Sequence, residues 1–179
     1  MSKGSILYAS GDFLFSGGTT LYHIGKWDQG NATWSPLDEG LDQPALAMAV
    51  GSDGTLYAGG QFVKTGYNKV TLNHIGAWNG TTWSALGSGV NGDVRAVAID
   101  DARGLVYAGG LFTATVGGQT MNLIGVWDSG ISKWVPFVRA GGSNGLSTSP
   151  GTSVRAIVAD GATVYVGGDF RGSPDTLAK

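Results

Sequence analysis

The chain has no cysteine in its 179 residues. That absence removes disulfides, thiolate nucleophiles and thiolate metal sites together, while leaving the compartment open, since many extracellular proteins also lack cysteine. Charge is scarce as well, at 13% of residues against about 25% in ordinary domains. Eleven Lys and Arg face 13 Asp and Glu, for a formal charge of −2. No run of like charges supplies the basic footprint that nucleic acid requires, so a nucleic-acid partner is not expected. No stretch approaches the roughly 20 apolar residues of a membrane span. The opening MSKGSILYASGDF also lacks the apolar segment of a secretory signal. Two readings of that opening stand: a chain that stays inside, or one whose leader lies outside this sequence.

Groups that do chemistry are few. Glu39 is the sole glutamate, and His23 and His74 are the only histidines. A glycosidase needs two carboxylates flanking the scissile bond. Asp28, Asp53, Asp100, Asp101, Asp128 and Asp160 all fall in expected hairpin turns, where Asp is favoured for its bonds to backbone N–H groups. His23 and His74 hold one repeat position that Leu123 fills further on, so the position accepts an apolar side chain and packing explains it. Two histidines without a matched third ligand do not make a zinc site. VGSDG and AIDDARG offer too few oxygen side chains for calcium. GSGVNG at 87–92 has neither the lysine nor the following helix of a phosphate loop, and no Ser, His and Asp order suggests a nucleophile. No catalytic residue, metal site or cofactor is assigned.

Glycine is abundant, 32 residues, more than twice the usual share of about 7%. The glycines belong to a repeat. LYASGDF (7–13), LYAGGQF (56–62), VYAGGLF (106–112) and VYVGGDF (164–170) recur at intervals of about 50 residues. A segment rich in Gly, Ser and Thr at 139–152 lengthens the last interval. A second phrase follows the first as HIGKWD (23–28), HIGAWN (74–79) and LIGVWD (123–128), each with another tryptophan soon after it. All six tryptophans therefore lie in the repeat, as Trp27 with Trp34, Trp78 with Trp83, and Trp127 with Trp134.

Within one period, β-branched and aromatic runs alternate with Gly, Asp and Asn clusters, the pattern of short strands joined by turns. Strands are expected at 94–99, 105–112, 122–128 and 133–138, a four-stranded antiparallel meander. Val94, Ala96 and Ala98 are expected on one face of the first strand, with Arg95, Val97 and Ile99 on the other. One such meander cannot bury both faces, and radial stacking of four-stranded units is a β-propeller. The expected fold class is all-β, with about three and a quarter blades: a remnant at 5–38, full blades at 44–88 and 93–138, and a partial blade at 153–170. The glycine pairs within the second strand call for a close approach by another backbone or by a repeated aromatic ring. Closed propellers have 4 to 8 blades. The expectation is therefore either a piece of a longer array or a chain that associates with itself or with further blades.

At LYAGGQF and HIGAWNGTTWSALGSGVNGDVRAVAIDDARGLVYAGGLF the sequence resembles repeat propellers of secreted and surface-anchored bacterial proteins. Similar repeats occur in the ectodomains of fungal cell-polarity landmark proteins. The resemblance covers essentially the whole chain and implies a non-enzymatic scaffold at the cell surface or outside the cell, with no catalytic residues to carry over. The Asp28-to-Trp34 and Asp128-to-Trp134 turns are similar to the Asp-box of sialidase-like propellers, though one residue too long. The same hairpin is similar to that of fucose-binding lectins whose short chains assemble into a ring.

Ligand candidates follow from position. Trp34, Trp83 and Trp134 lie on the hairpins, where packing competes with glycan stacking. Arg95 and Arg155 recur on the strand expected to be innermost, where Leu46 stands in the preceding copy. Polar lining or a bond to a neighbouring blade competes there with an anion contact. Arg139 opens the inserted segment, which is the candidate partner loop against the alternative of a plain linker. Connections 14–20, 63–71 and 113–121, together with 38–43, 87–93 and 139–152, are expected on one face, the usual binding face. The function expected is structural, adhesive or protein-binding in a surface or extracellular assembly, with a glycan-binding lectin as the alternative. A fragment of an enzyme whose active site lies in missing blades is the third reading.

Overall fold

A computed structural model of the chain describes residues 2–3, 5–67, 69–116, 119–137, 145–146 and 152–170, and every regular element among them is a β-strand. The first stretch holds β1 (Ser2–Lys3), β2 (Ile6–Ser10), β3 (Phe15–Ser16), β4 (Thr19–Thr20), β5 (Ile24–Asp28) and β6 (Thr33–Pro36). The second holds β7 (Ala45–Val50), β8 (Leu56–Gly60), β9 (Ile75–Trp78) and β10 (Trp83–Ala85). The third holds β11 (Val94–Asp100), β12 (Leu105–Val116), β13 (Gln119–Asp128) and β14 (Lys133–Val135), and the last β15 (Val154–Asp160) and β16 (Thr163–Gly168).

These strands form three four-stranded antiparallel sheets, β1-β2-β5-β6, β7-β8-β9-β10 and β11-β12-β13-β14, then the two-stranded β15-β16. A separate small hairpin, β3-β4, stands in the β2–β5 connection. No sheet closes on itself among the described residues.

Four sequence expectations need correction. The first sheet begins at Ser2, before the expected 5, because β1 pairs with β2 through Ser2↔Leu7 and Lys3↔Ile6. The connection expected at 113–121 is instead a continuation of the ladder, from Thr113↔Asn122 to Val116↔Gln119. β14 stops at Val135, short of 138, where Pro136 brings no N–H for the ladder. The fourth correction concerns facing. The register slips between Val94 and Ala96, so Arg95 is the extra residue of a bulge and the alternation changes phase. Val94 thereby joins Val97 and Ile99 on the face toward the preceding sheet, while Ala96 and Ala98 face the following one. β7 and β15 slip at the same place, between Ala45 and Ala47 and between Val154 and Ala156.

The core is divided into three clusters, each drawn from two successive sheets. Ile24 and Leu37 pack with Leu56, Phe62, Leu72, Trp78 and Trp83. Ile75 and Leu86 pack with Val94, Val106, Phe112, Trp127 and Trp134. Tyr107, Ile124 and Val126 pack with Val154 and Ile157. Each sheet thus buries one face by covering the next. Fully burying a single Val, Leu, Ile or Phe side chain is worth about 1.5–3 kcal/mol, so the stacking of sheets is the main stabilising contact.

Candidate functional site

The tryptophan candidates come out unequal. In each hairpin the two indoles are cross-strand partners, with ring centroids 5.5, 5.6 and 5.7 Å apart in chain order. Trp83 and Trp134 are buried. Trp83 donates Nε1–H to the Leu37 carbonyl at 3.0 Å, and Trp134 donates to the Leu86 carbonyl at 2.7 Å. Both indoles therefore fasten their sheet to the residue that follows the last strand of the preceding one, and stacking on a glycan would require the sheets to part. Trp34 is half-buried, with no preceding sheet among the described residues to offer it a carbonyl. Its ring lies over Gly25, as Trp83 lies over Gly76 and Trp134 over Gly125, with Cε3 at 3.3 Å from where each glycine's Cβ would stand. The sequence calls for either a backbone or a ring against the glycine pairs of the second strand, and the ring half of that expectation is corrected. The rings sit on the third strand, and the glycine pairs receive the next sheet's valine and the backbone of their own first strand.

Arg95 and Arg155 meet acidic partners at the edge where β11 and β15 begin. Arg155 binds the Asp169 carboxylate through Nη2 at 2.5 Å and Nε at 2.7 Å, while Arg95 lies 3.6 Å from Asp93. The Arg155 guanidinium holds the Asp169 carboxyl below the ordinary carboxylate range, and Arg95 in the neighbouring sheet adds to the effect. Leu46, the counterpart from the preceding sheet, is exposed. Arg139 lies outside the described residues.

The aspartates and histidines are engaged with backbone. Asp28 Oδ1 accepts the Gly30 N–H at 2.8 Å and Asp128 Oδ1 that of Gly130 at 2.9 Å. The Gly30 N–H, with Asn31, holds the Asp28 carboxyl below its usual range. His23 Nδ1 stands 3.1 Å from the Gly11 carbonyl, and His74 Nδ1 3.2 Å from that of Gly60. A carbonyl only accepts, so Nδ1 carries the proton in each ring. Both histidines sit at positive φ, 67° and 70°, as does Leu123 at 62°, which ties the repeat position to a local backbone shape. No group of three or more His, Asp or Glu capable of holding a metal exists among the described residues. A shallow cleft between the second and third sheets is lined by Ser52, Asp53, Tyr57, Asp101 and Ser129. Asp53 is committed to Thr55 and Asp101 to the Ser52 N–H. Burial raises the Tyr57 phenol, and the two carboxylates raise it further.

The expected loop face is real in one respect: the two sets of connections bond to each other across sheets. Asp42 Oδ1 accepts the Val63 N–H at 2.9 Å, and Asn91 exchanges bonds of 2.9 Å with the backbone of Thr113. The inserted segment rejoins this scheme at its centre. Gly145 has φ 71°, like Gly40 at 69° and Gly89 at 68°. Leu146 N–H bonds to the Asn122 carbonyl at 2.9 Å, as Val90 does to Asn73 at 3.0 Å. Around these latches Leu14, Phe15, Val63 and Tyr67 remain exposed.

Sequence reasoning passed over Glu39 as a structural residue. Its carboxylate is buried between the first and second sheets, where it accepts a bond from Thr65 Oγ1 and lies 3.3 Å from Lys69 Nζ. Only its being the sole glutamate marked it. Burial pushes its carboxyl up, but the Thr65 hydroxyl and the Lys69 ammonium outweigh that and leave it below the ordinary value. A lowered folded pKa stabilises the fold above the unfolded value of about 4.3, and this contribution disappears as pH falls through the folded pKa. Glu39→Gln should cost about 1 kcal/mol at pH 7, and the gap to the unaltered chain should close toward pH 3 in urea titrations. A gap independent of pH would contradict this account.

No helix among the described residues is long and apolar enough to cross a membrane. No protein-family model matches the chain, and no curated protein matches its sequence.

Proposed function

We propose that the chain is a non-catalytic β-propeller module serving structure, adhesion or protein contact in a surface or extracellular assembly. The observation that carries this reading is the use of one interface three times. Each sheet is covered by the next through the same repeat positions, Tyr8 with Ala45, Tyr57 with Val94 and Tyr107 with Val154, joined at the first two junctions by the covering sheet's tryptophan pair, as radially stacked blades require. The groups that chemistry would need are spent on that scaffold: aspartates on turn N–H groups, histidines on carbonyls, Trp83 and Trp134 on the neighbouring sheet. The resemblance of the repeats to surface-anchored and secreted propellers supports the same placement. Contact with a protein would use the loop face, where Phe15 and Tyr67 are each 62% exposed among connections that latch onto one another. Large exposed aromatics are typical anchors of protein interfaces.

The test presents the labelled chain to a glycan array and to a panel of immobilised matrix and serum proteins. Saturable protein capture, weakened about tenfold or more by Tyr67→Asp, with no glycan signal at millimolar sugar, is the expected outcome. Glycan capture lost in Trp34→Ala would replace this reading with the lectin one. Turnover of any glycoside by the chain alone would overturn its non-catalytic half.

A further inference from the structure

The two ends of the stack expose the two halves of the interface that the chain makes internally. On the third sheet, Ala96, Ala98 and Tyr107 face forward and are covered by β15 and β16, leaving Tyr107 only 4% exposed. On the last sheet the repeat places Ala156, Val158 and Tyr165 at those positions, with Val158 and Tyr165 as cross-strand partners. Nothing among the described residues covers them: Val158 is 58% and Tyr165 61% exposed. Gly167 shows the same vacancy. Its counterparts Gly59 and Gly109 are pressed by Val94 and Val154 of the following sheet, whereas a Cβ on Gly167 would meet only Ala156 of its own sheet, at 3.9 Å. At the other end the backward face of the first sheet carries Leu7, Trp27 and Trp34, all half-buried. Their counterparts Leu56, Trp78 and Trp83 are buried against the preceding sheet.

We infer that a second copy of this chain covers these faces, the last sheet of one copy docking on the first sheet of the other, head to tail. The inference rests on the propeller reading and adds its partner. In the internal interfaces Tyr57 stands beside Ile99 and Val106 of the following sheet. By the same repeat Tyr165 of one copy meets Leu7 of the next. A head-to-tail contact generates a ring if its rotation closes and a filament if it does not. A closed ring of such sheets typically holds 4 to 8 of them. Each copy brings four stacked sheets, so two copies fill such a ring and a third exceeds it. The product is a dimer with two like interfaces.

The experiment measures mass by light scattering on the full chain and on two variants. Val158→Glu alters an exposed position and blocks the trailing face, and Trp27→Lys blocks the leading face. The unaltered chain at about 100 µM, well above the Kd of an ordinary specific contact, should run at twice its 18.3 kDa. Each variant alone should run as a monomer with unchanged far-ultraviolet circular dichroism and cooperative melting. Mixed together, the variants should form a one-to-one pair, because each retains the face that the other needs. A monomeric unaltered chain that melts cooperatively as β-structure would overturn self-association and leave the propeller reading standing. A chain with no cooperative β-structure would overturn both. Self-association of either variant alone would rule out the head-to-tail arrangement. If Trp27→Lys does not fold, the Val158→Glu mass decides by itself.

Discussion

Gly60→Ala should destabilise the chain by more than about 3 kcal/mol and resist rescue, while Gly59→Ala, one residue earlier, should be rescued in large part by Val94→Ala. The two glycines sit side by side in β8 and face different obstacles. A Cβ on Gly60 would stand 2.4 Å from the Pro44 carbonyl oxygen and 2.6 Å from the Ala45 Cα. Both atoms are backbone of the paired strand at its bulge, so relief requires the ladder itself to open. A Cβ on Gly59 would instead stand 2.3 Å from Val94 Cγ1 and 2.9 Å from Val94 Cβ, in the next sheet. Overpacking of that kind costs about 1–3 kcal/mol, sometimes more, and truncating the valine removes its closest contact, Cγ1, leaving Val94 Cβ at 2.9 Å and Val97 Cγ2 at 3.0 Å, which are marginal. Val94→Ala alone should also destabilise, because Val94 is fully buried. In a double-mutant cycle by urea titration, the Gly59→Ala and Val94→Ala pair should cost at least about 1 kcal/mol less than the two singly. Additive costs would mean that the sheets are not in the contact described.

The same glycine pair shows how far the sequence was legible. That two adjacent glycines in a strand require a close approach follows from their having no side chain to pack. Which neighbour approaches does not, because Val94 lies in another sheet and reaches Gly59 only after the Arg95 bulge has reversed the facing of β11. A bulge adds one residue to a ladder without any residue type that announces it. The expected faces of Val94 and Ala96 failed at that point, whereas the third sheet's four strands were found at nearly their observed positions. The extension of β12 and β13 was missed, since its threonine-rich sequence reads equally well as a connection. β1 gave no periodic signal in two residues. Of the candidate site, the pairing of tryptophans and the turn role of the aspartates were readable from spacing and turn chemistry. The buried position of Glu39 was not, because it depends on Thr65 and Lys69 arriving from the following sheet.

Trp134→Phe should cost about 1.5–3 kcal/mol and Trp34→Phe less than about 1 kcal/mol, although the repeat gives the two residues one position. Trp134 is buried, and its indole N–H satisfies the Leu86 carbonyl at 2.7 Å. Phenylalanine removes both the donor and part of the ring area, and leaves the Leu86 carbonyl with the Gly89 N–H at 3.0 Å as its remaining partner. The lost bond is worth about 0.5–1.5 kcal/mol, and the lost ring area adds the rest. Trp83→Phe should behave like Trp134→Phe, with the Leu37 carbonyl keeping the Gly40 N–H at 3.0 Å. Trp34 keeps its contact with Trp27 at 5.5 Å, but no sheet among the described residues lies against its outer side, so phenylalanine sacrifices less. Equal costs at the three positions, measured by urea titration of the monomer, would show that the hairpin itself and not the junction between sheets sets the value of these indoles. The contrast also separates folding from association. If a second copy covers the first sheet, Trp34→Phe acquires its cost only at concentrations where dimers form, as weaker dimerisation with little change in the melting of the monomer. Trp134→Phe lowers monomer stability at every concentration, because the carbonyl it serves belongs to its own chain.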